Sequence, residues 1–175
     1  ETWIRFSSGG YKFTVDDVSF EMTNAAPPPP ADCTVTNSLI NEIFETNLDC
    51  WEDISTQANT TRWVEPGKME LDGGSGYGMR TQAVATTEGA EYTLTALIEG
   101  TVTYASVCIG TAENQCELVS IKPGTGIQTF TFVAESAETW IRFSSGGYKF
   151  TVDDVSLAEG MPEPKPATDP TPAPD

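Results

Sequence analysis

A chain of 175 residues with 26 acidic side chains, 9 basic ones, a net charge of −17 and no histidine excludes several classes of function. Nucleic acid is not an expected partner, because backbone binding needs clustered Lys and Arg, and histidine-based catalysis or His-ligated zinc is ruled out. What remains is room for one sizeable core under an acidic surface that repels its own kind and attracts divalent cations.

The chain opens on ETWIRFSSGGYKFTVDDVS, residues 1–19, and the same nineteen letters return at 138–156, an offset of 137 (138 − 1). That offset is the size of a domain rather than of a solenoid repeat. Residues 1–20 therefore read as an orphan strand pair, the closing strands of a preceding identical module, and the chain as a window onto a tandem array. Residues 21–32 form a linker in which Pro27–Pro30 hold a stiff, extended spacer. The tail, 158–175, is a second proline-rich linker, disordered or polyproline-like. Ten of the twelve prolines lie in these two segments, leaving Pro66 and Pro123 inside a body at 33–157. No transmembrane run or signal peptide appears, and a membrane is not an expected partner.

The body begins with CTVTNSLINEIFETNLDCWEDIS, where Leu39, Ile40, Ile43 and Phe44 read as core strand and Trp51 with Ile54 starts the next element. In KMELDGGSGYG, Met69 and Leu71 alternate with charges before a Gly-rich turn. YTLTALIEG alternates strictly, with Tyr92, Leu94, Ala96 and Ile98 on one face. TVTYASVCIGTAENQCELVSIKPG reads as a hairpin with Cys108 and Cys116 on its two arms, and Phe130 and Phe132 continue the pattern. In the repeated stretch Ile141 and Phe143 alternate with Trp140 and Arg142, Ser144–Gly147 is turn chemistry, and Phe150 and Val152 resume the period. Val152 to Val155 then breaks phase, which a bulge at Asp153-Asp154 would absorb. No segment sustains a 3.6-residue period. The pattern indicates an all-β fold, a β-sandwich jelly roll.

Four cysteines fit two disulfides and an oxidising, extracellular compartment. The local pairings are Cys33–Cys50 across the opening segment and Cys108–Cys116 across the hairpin, with buried free thiols as the alternative.

Asn37, Leu39, Asn41, Phe44 and Glu45 form an opening of the type N-x-L-x-N-x-x-F-E, followed by Trp51, by EGAEYTLTALIEG in mid-chain and by FTVDDVSL at the close. Together these resemble the family 4/9-like carbohydrate-binding modules (the group of families 4, 9, 16 and 22), jelly rolls appended to secreted polysaccharide-degrading enzymes. The likeness covers roughly residues 35–157, and departs from the family pattern where its usual N-G is Asn41-Glu42. It implies a non-catalytic module that binds polysaccharide. It also implies a structural calcium tying the opening strand to the closing one, with Glu45 and Asp153 as carboxylate ligands and Asp154 as a weaker candidate; the alternative is that these acids are merely solvated.

Sugar binding would rest on aromatic faces and hydrogen-bonding side chains. Trp140 and Arg142 are expected outside the core, on the face opposite Ile141 and Phe143. Trp63, and Tyr77 with Arg80, are expected exposed nearby. Trp51 reads as core, and Tyr104 is ambiguous. Nothing resembles a nucleophile with its base. The competing reading is a structural repeat of a bacterial surface adhesin or extracellular filament, calcium-stiffened. Its partners would be neighbouring repeats or copies of itself, joined head to tail as Glu1–Ser19 docks on another chain.

Overall fold

The computed structural model describes residues 33–40, 42–57 and 60–160. The chain divides into two units, Glu1–Pro30 and Ala31–Asp175, and only the second contains described residues. The reading of Glu1–Ser19 as strands that dock on another copy, and that of the proline-rich linker and tail, lie outside them.

Among the described residues ten strands follow one another: β1 (Glu52–Asp53), β2 (Thr61–Val64), β3 (Lys68–Asp72), β4 (Gly78–Ala85), β5 (Glu91–Gly100), β6 (Ala105–Gly110), β7 (Val119–Ile121), β8 (Gly126–Val133), β9 (Glu138–Ser145) and β10 (Lys149–Glu159). They form two five-stranded antiparallel sheets, β1-β4-β9-β6-β7 and β2-β3-β10-β5-β8. The architecture is an all-β sandwich of the jelly-roll type. Among the described residues no helix is long and apolar enough to cross a membrane.

Period-two patterning placed the core strands correctly. Met69, Leu71, Leu94, Ala96, Ile98, Phe130, Phe132, Ile141, Phe143, Phe150 and Val152 all point between the sheets and are buried. The register of β10 on β5 shifts between Asp153 and Ser156, with Asp154 at φ 47°, so a bulge lets both Val152 and Val155 stay fully buried. Trp51 is core, 1% exposed, edge-on to Phe44 and tilted against Phe143 with centroids 5.8 and 5.7 Å apart.

Three expectations need correction. The repeated stretch is not a strand pair: β9 lies in one sheet and β10 in the other, and the SSGGY turn is a corner between them. The turn residues made it look like a hairpin, but a corner uses the same chemistry to change sheets. Gly73, in the β3–β4 crossing, lies against this corner so closely that a Cβ on it would fall 2.0 Å from the Gly147 amide nitrogen; only glycine fits where two backbones approach like this. Residues 33–40 and 42–50 are not strand either. Phe44 and Cys50 have positive φ, Ile43 is exposed, and Gln82 takes over the role of a ladder, accepting from the Ile40 amide and donating to the Ile40 and Cys50 carbonyls. Finally, Cys116 stands in the loop before β7 and not on a strand arm.

Both local disulfides form, Cys33–Cys50 and Cys108–Cys116, separated by 17 and 8 residues. Serine replacement of the first pair is expected to cost roughly 3 kcal/mol and of the second roughly 2.5 kcal/mol by loop-closure entropy. Urea midpoints unchanged in both double variants would show that the bridges do not constrain the unfolded chain.

Candidate functional site

The two sheets offer very different outer faces. In β9 the inward residues are Thr139, Ile141, Phe143 and Ser145, so Trp140, Arg142 and Ser144 point outward, as alternation expects. Register sets their neighbours: Ala83 of β4 and Gly110 of β6 stand beside Trp140, Thr81 and Cys108 beside Arg142, and Met79 and Ser106 beside Ser144. On the Ala83 side the ring borders a cleft, whereas the Gly110 side is filled by the Gln115 backbone and the Glu117 carboxylate. The Trp140 indole N–H donates to the Glu138 carboxylate at 2.9 Å, which holds the ring on the sheet.

Two disulfide-pinned loops overhang this face. On the β4 side, Cys33, Thr34 and Val35 line with Trp140 and Ala83 a cleft of about 310 Å³. On the β6 side, the Cys108–Cys116 loop folds back over the sheet, so that a Cβ on Gly110 would meet the Gln115 carbonyl oxygen at 2.4 Å. Arg142 reaches under this loop, donating to the Asn114 Oδ1 (3.4 Å) and the Cys116 sulfur (3.0 Å). Burial pushes its pKa down, and its Nε–H is buried without a hydrogen-bond partner in the protein.

The other expected residues are not gathered here. Arg80 and Gln82 share the inward phase of β4 with Val84. Arg80 is therefore not exposed but only 17% so, donating to Thr61 Oγ1 (2.8 Å), the Trp51 carbonyl (2.6 Å) and Asp53 (3.2 Å). Burial by itself would raise the Asp53 carboxyl. Donors from Ser55 and Thr61, with the Arg80 guanidinium, outweigh that and hold it below its ordinary value. Trp63 is half-buried against the core, its indole N–H donating to the Phe44 carbonyl at 2.6 Å. Both line a second cleft of about 330 Å³ beside Asn47 and Arg62. The expectation that Trp63 and Arg80 are exposed beside Trp140 thus fails on strand phase: Arg80 is an even number of residues along β4 from Val84, and Trp63, on β2 in the other sheet, pairs with the buried Met69.

Tyr77 is exposed, at the corner where β9 leaves the sheet, with its ring against Gly146. Tyr104 and Tyr148, both exposed, stack there at 5.7 Å and 12°. The corner thus carries three tyrosines, of which the sequence pointed to Tyr77, left Tyr104 ambiguous and did not mark Tyr148. The signal for Tyr148 was its place directly after a glycine pair, where a side chain has no strand neighbour to cover it.

The acidic pair implied by the family resemblance lies at the other sheet. The Val155 amide donates to the Glu42 carbonyl at 3.0 Å, so the opening segment does meet the closing strand at its bulge. Asp153 is half-buried there. Burial first, then the Asp154 and Glu99 carboxylates, push its pKa up, against the Asp154 amide (2.9 Å) and the Lys68 ammonium. Burial also raises Glu42. Glu45 and Asp154 are exposed. Carboxylates without full compensation suit a hard cation. Yet among the described residues no three Asp, Glu or Cys side chains converge as ligands, and Lys68 already lends Asp153 a positive charge. Calcium fits this place only with backbone carbonyls completing its shell.

No protein-family model matches the chain, and no curated protein matches it in sequence. Among solved structures, the chain is similar to a family 61 carbohydrate-binding module in complex with β-1,4-galactotriose, at TM-score 0.54 and 16% identity, over 71% of this chain and 99% of that one. It is also similar to the enzymatically active domain of tailspike protein 4 of bacteriophage CBA120 (TM-score 0.53, 15% identity, 70% of this chain) and to an arabinose-bound α-L-arabinofuranosidase (0.52, 14%, 74%). The chain spans only 21% and 27% of those two proteins. At such identities the likeness shows the fold alone, which is that of a jelly-roll β-sandwich.

Proposed function

We propose that the body is a non-catalytic carbohydrate-binding module whose polysaccharide lies along β9 on the outer face of the β1-β4-β9-β6-β7 sheet. The observation that carries this is Trp140 at the centre of that face, between Ala83 and Gly110, under loops each pinned by a disulfide. Trp140 supplies a ring for a sugar to stack on, and Arg142 supplies donors for hydroxyls. From Trp140 to the tyrosine corner at Gly146 the track runs roughly 20 Å at about 3.3 Å per residue, long enough for an oligosaccharide. The family 61 module, so similar in fold, was solved with a galactotriose. Two disulfides support an extracellular setting, and a secreted multi-module protein is the natural context for such a module. Trp63 and Arg80 have their donors engaged inside the protein, and so serve the fold in this reading.

The test is a screen of the full chain against neutral and acidic glycans, followed by Trp140→Ala. An aromatic anchor at the middle of an interface is worth about 2 kcal/mol or more, so affinity should fall by about thirtyfold or more while Trp63→Ala leaves it within a few-fold. Equal binding by Trp140→Ala and wild type would overturn this site, and an empty screen the function.

A second reading, a calcium-stiffened structural repeat of an adhesin or filament, is favoured by one observation: the duplicated nineteen residues fall on β9 and most of β10, the middle strands of both sheets. In either reading we propose calcium at Glu45 and Asp153. A ligand bound only by the folded state adds about 2.7 kcal/mol at a hundredfold excess over Kd, so Tm should rise by several degrees from EGTA to millimolar calcium and Asp153→Asn should abolish the rise. An unmoved Tm would remove the ion.

A further inference from the structure

Of the cations among the described residues, Arg62, Lys68, Arg80 and Lys149 are in ion pairs with carboxylates. Lys122 is exposed in a loop. Arg142 is the exception: half-buried on the sheet face, and without a carboxylate partner. This is unexpected in a chain of net charge −17, where an acidic neighbour should be easy to find. The nearby acids are engaged by other donors, although Oε2 of Glu117 lies over Gly110, beside Trp140. Glu138 accepts the Trp140 indole N–H, and Glu117, on the overhanging loop, accepts from the Thr111 amide and hydroxyl. Glu52 stands beyond Thr81, two strands and roughly 10 Å away across the sheet.

The guanidinium meets only neutral protein groups. Asn114 takes one N–H of Nη1, the Cys116 sulfur takes one of Nη2, and a neutral amide and a disulfide sulfur are all its protein partners. One N–H on each terminal nitrogen is left over. A guanidinium partly stripped of water, with neutral partners and no counter-charge, is an unfavourable arrangement unless an anion completes it. A planar fork matches a carboxylate or sulfate oxygen pair better than any hydroxyl.

We propose that the ligand of this face is an anionic glycan, one whose rings carry carboxylate or sulfate groups, with Arg142 pairing that group while Trp140 stacks on the ring. The proposal rests on the carbohydrate-binding reading above. It sets a short-range pair against the chain's overall negative field, which salt screens beyond about 8 Å at physiological ionic strength.

The test measures the full chain by affinity electrophoresis and calorimetry on polygalacturonate, alginate and hyaluronan, on the same polymers after carboxyl reduction to neutral sugars, and on dextran sulfate beside dextran. At least one acidic polymer should be bound about tenfold or more tighter than its neutral counterpart. A polyuronate among those bound assigns carboxylate, and dextran sulfate alone assigns sulfate. Arg142→Gln should erase that preference yet keep residual binding to the neutral polymer, with Arg142→Lys between the two and both variants melting as wild type does. If Arg142→Gln melts early, Arg142→Lys carries the comparison, and its loss of the fork should still cut the preference. Neutral polymers bound as well as acidic ones would overturn the proposal and leave the carbohydrate-binding reading standing. Binding to no polymer at all would overturn both.

Discussion

A body of residues 33–137 is expected to stay unfolded by itself. It lacks β9 and β10, and these occupy the middle of both sheets, β9 between β4 and β6, β10 between β3 and β5. Their loss strips eight register pairs from β4, six from β6, four from β3 and eight from β5. It also removes Ile141, Phe143, Phe150, Val152 and Val155, each at most 1% exposed, from the core. At roughly 1.5–3 kcal/mol for each buried apolar side chain, the loss matches or exceeds the 5–15 kcal/mol by which such domains are stable. A peptide of residues 1–20 supplied in trans has the same nineteen side chains and should restore strand circular dichroism and amide protection. A 33–137 body that folds unaided would refute the central role of β9 and β10. A peptide that never rescues would refute exchange between copies, and with it the head-to-tail assembly read from the repeat. Because neither strand is an edge, exchange between intact copies also requires the resident strands to leave first. The full chain should therefore exchange slowly even if the peptide binds well.

Trp51→Ala is expected to cost about 3–5 kcal/mol, the range for deleting a buried large aromatic. Trp51 joins the opening segment to the core through Phe44 and Phe143, and the Trp51 carbonyl also holds Arg80, so a shift of this residue would loosen the Asp53–Arg80–Thr61 network as well. Its indole N–H is buried without a partner in the protein. Trp51→Phe should therefore cost less than its lost volume implies, since removing an unsatisfied donor returns part of its desolvation penalty. Guanidinium midpoints for the two variants decide it. A Trp51→Ala loss under 1 kcal/mol would mean that the Leu39–Leu48 segment is not part of the cooperative core.

Much of the fold was legible because a half-buried strand writes its orientation into alternate residues. Met69 and Leu71, the run from Tyr92 to Ile98, and Ile141 with Phe143 each declared an inward face, and a one-residue phase shift at Asp153 declared a bulge. The opening segment was misread as strand because Leu39, Ile40, Ile43 and Phe44 are apolar enough for one. Burial there is achieved by irregular backbone that a local disulfide and Gln82 hold in place, and Gln82 lies 42 residues from Ile40 in the chain.

The candidate site was legible only in part. Alternation placed Trp140 and Arg142 outside the core, but exposure in one strand does not say which residues of other strands stand beside it. Trp63 and Arg80 looked equivalent to Trp140 in composition, and strand phase sent them to the sandwich edge. The tyrosine corner needed Tyr77, Tyr104 and Tyr148 to converge from three segments. The sequence alone determined the all-β class, the core faces and the disulfide partners, since each follows from local period or spacing. Only the tertiary structure decided that β9 and β10 part company at their turn to become the centre of opposite sheets, that the two disulfide loops overhang one face, and that Arg142 lies there without a carboxylate. These are relations between residues distant in the chain, fixed by which strands pair and in what register, and no local pattern encodes them.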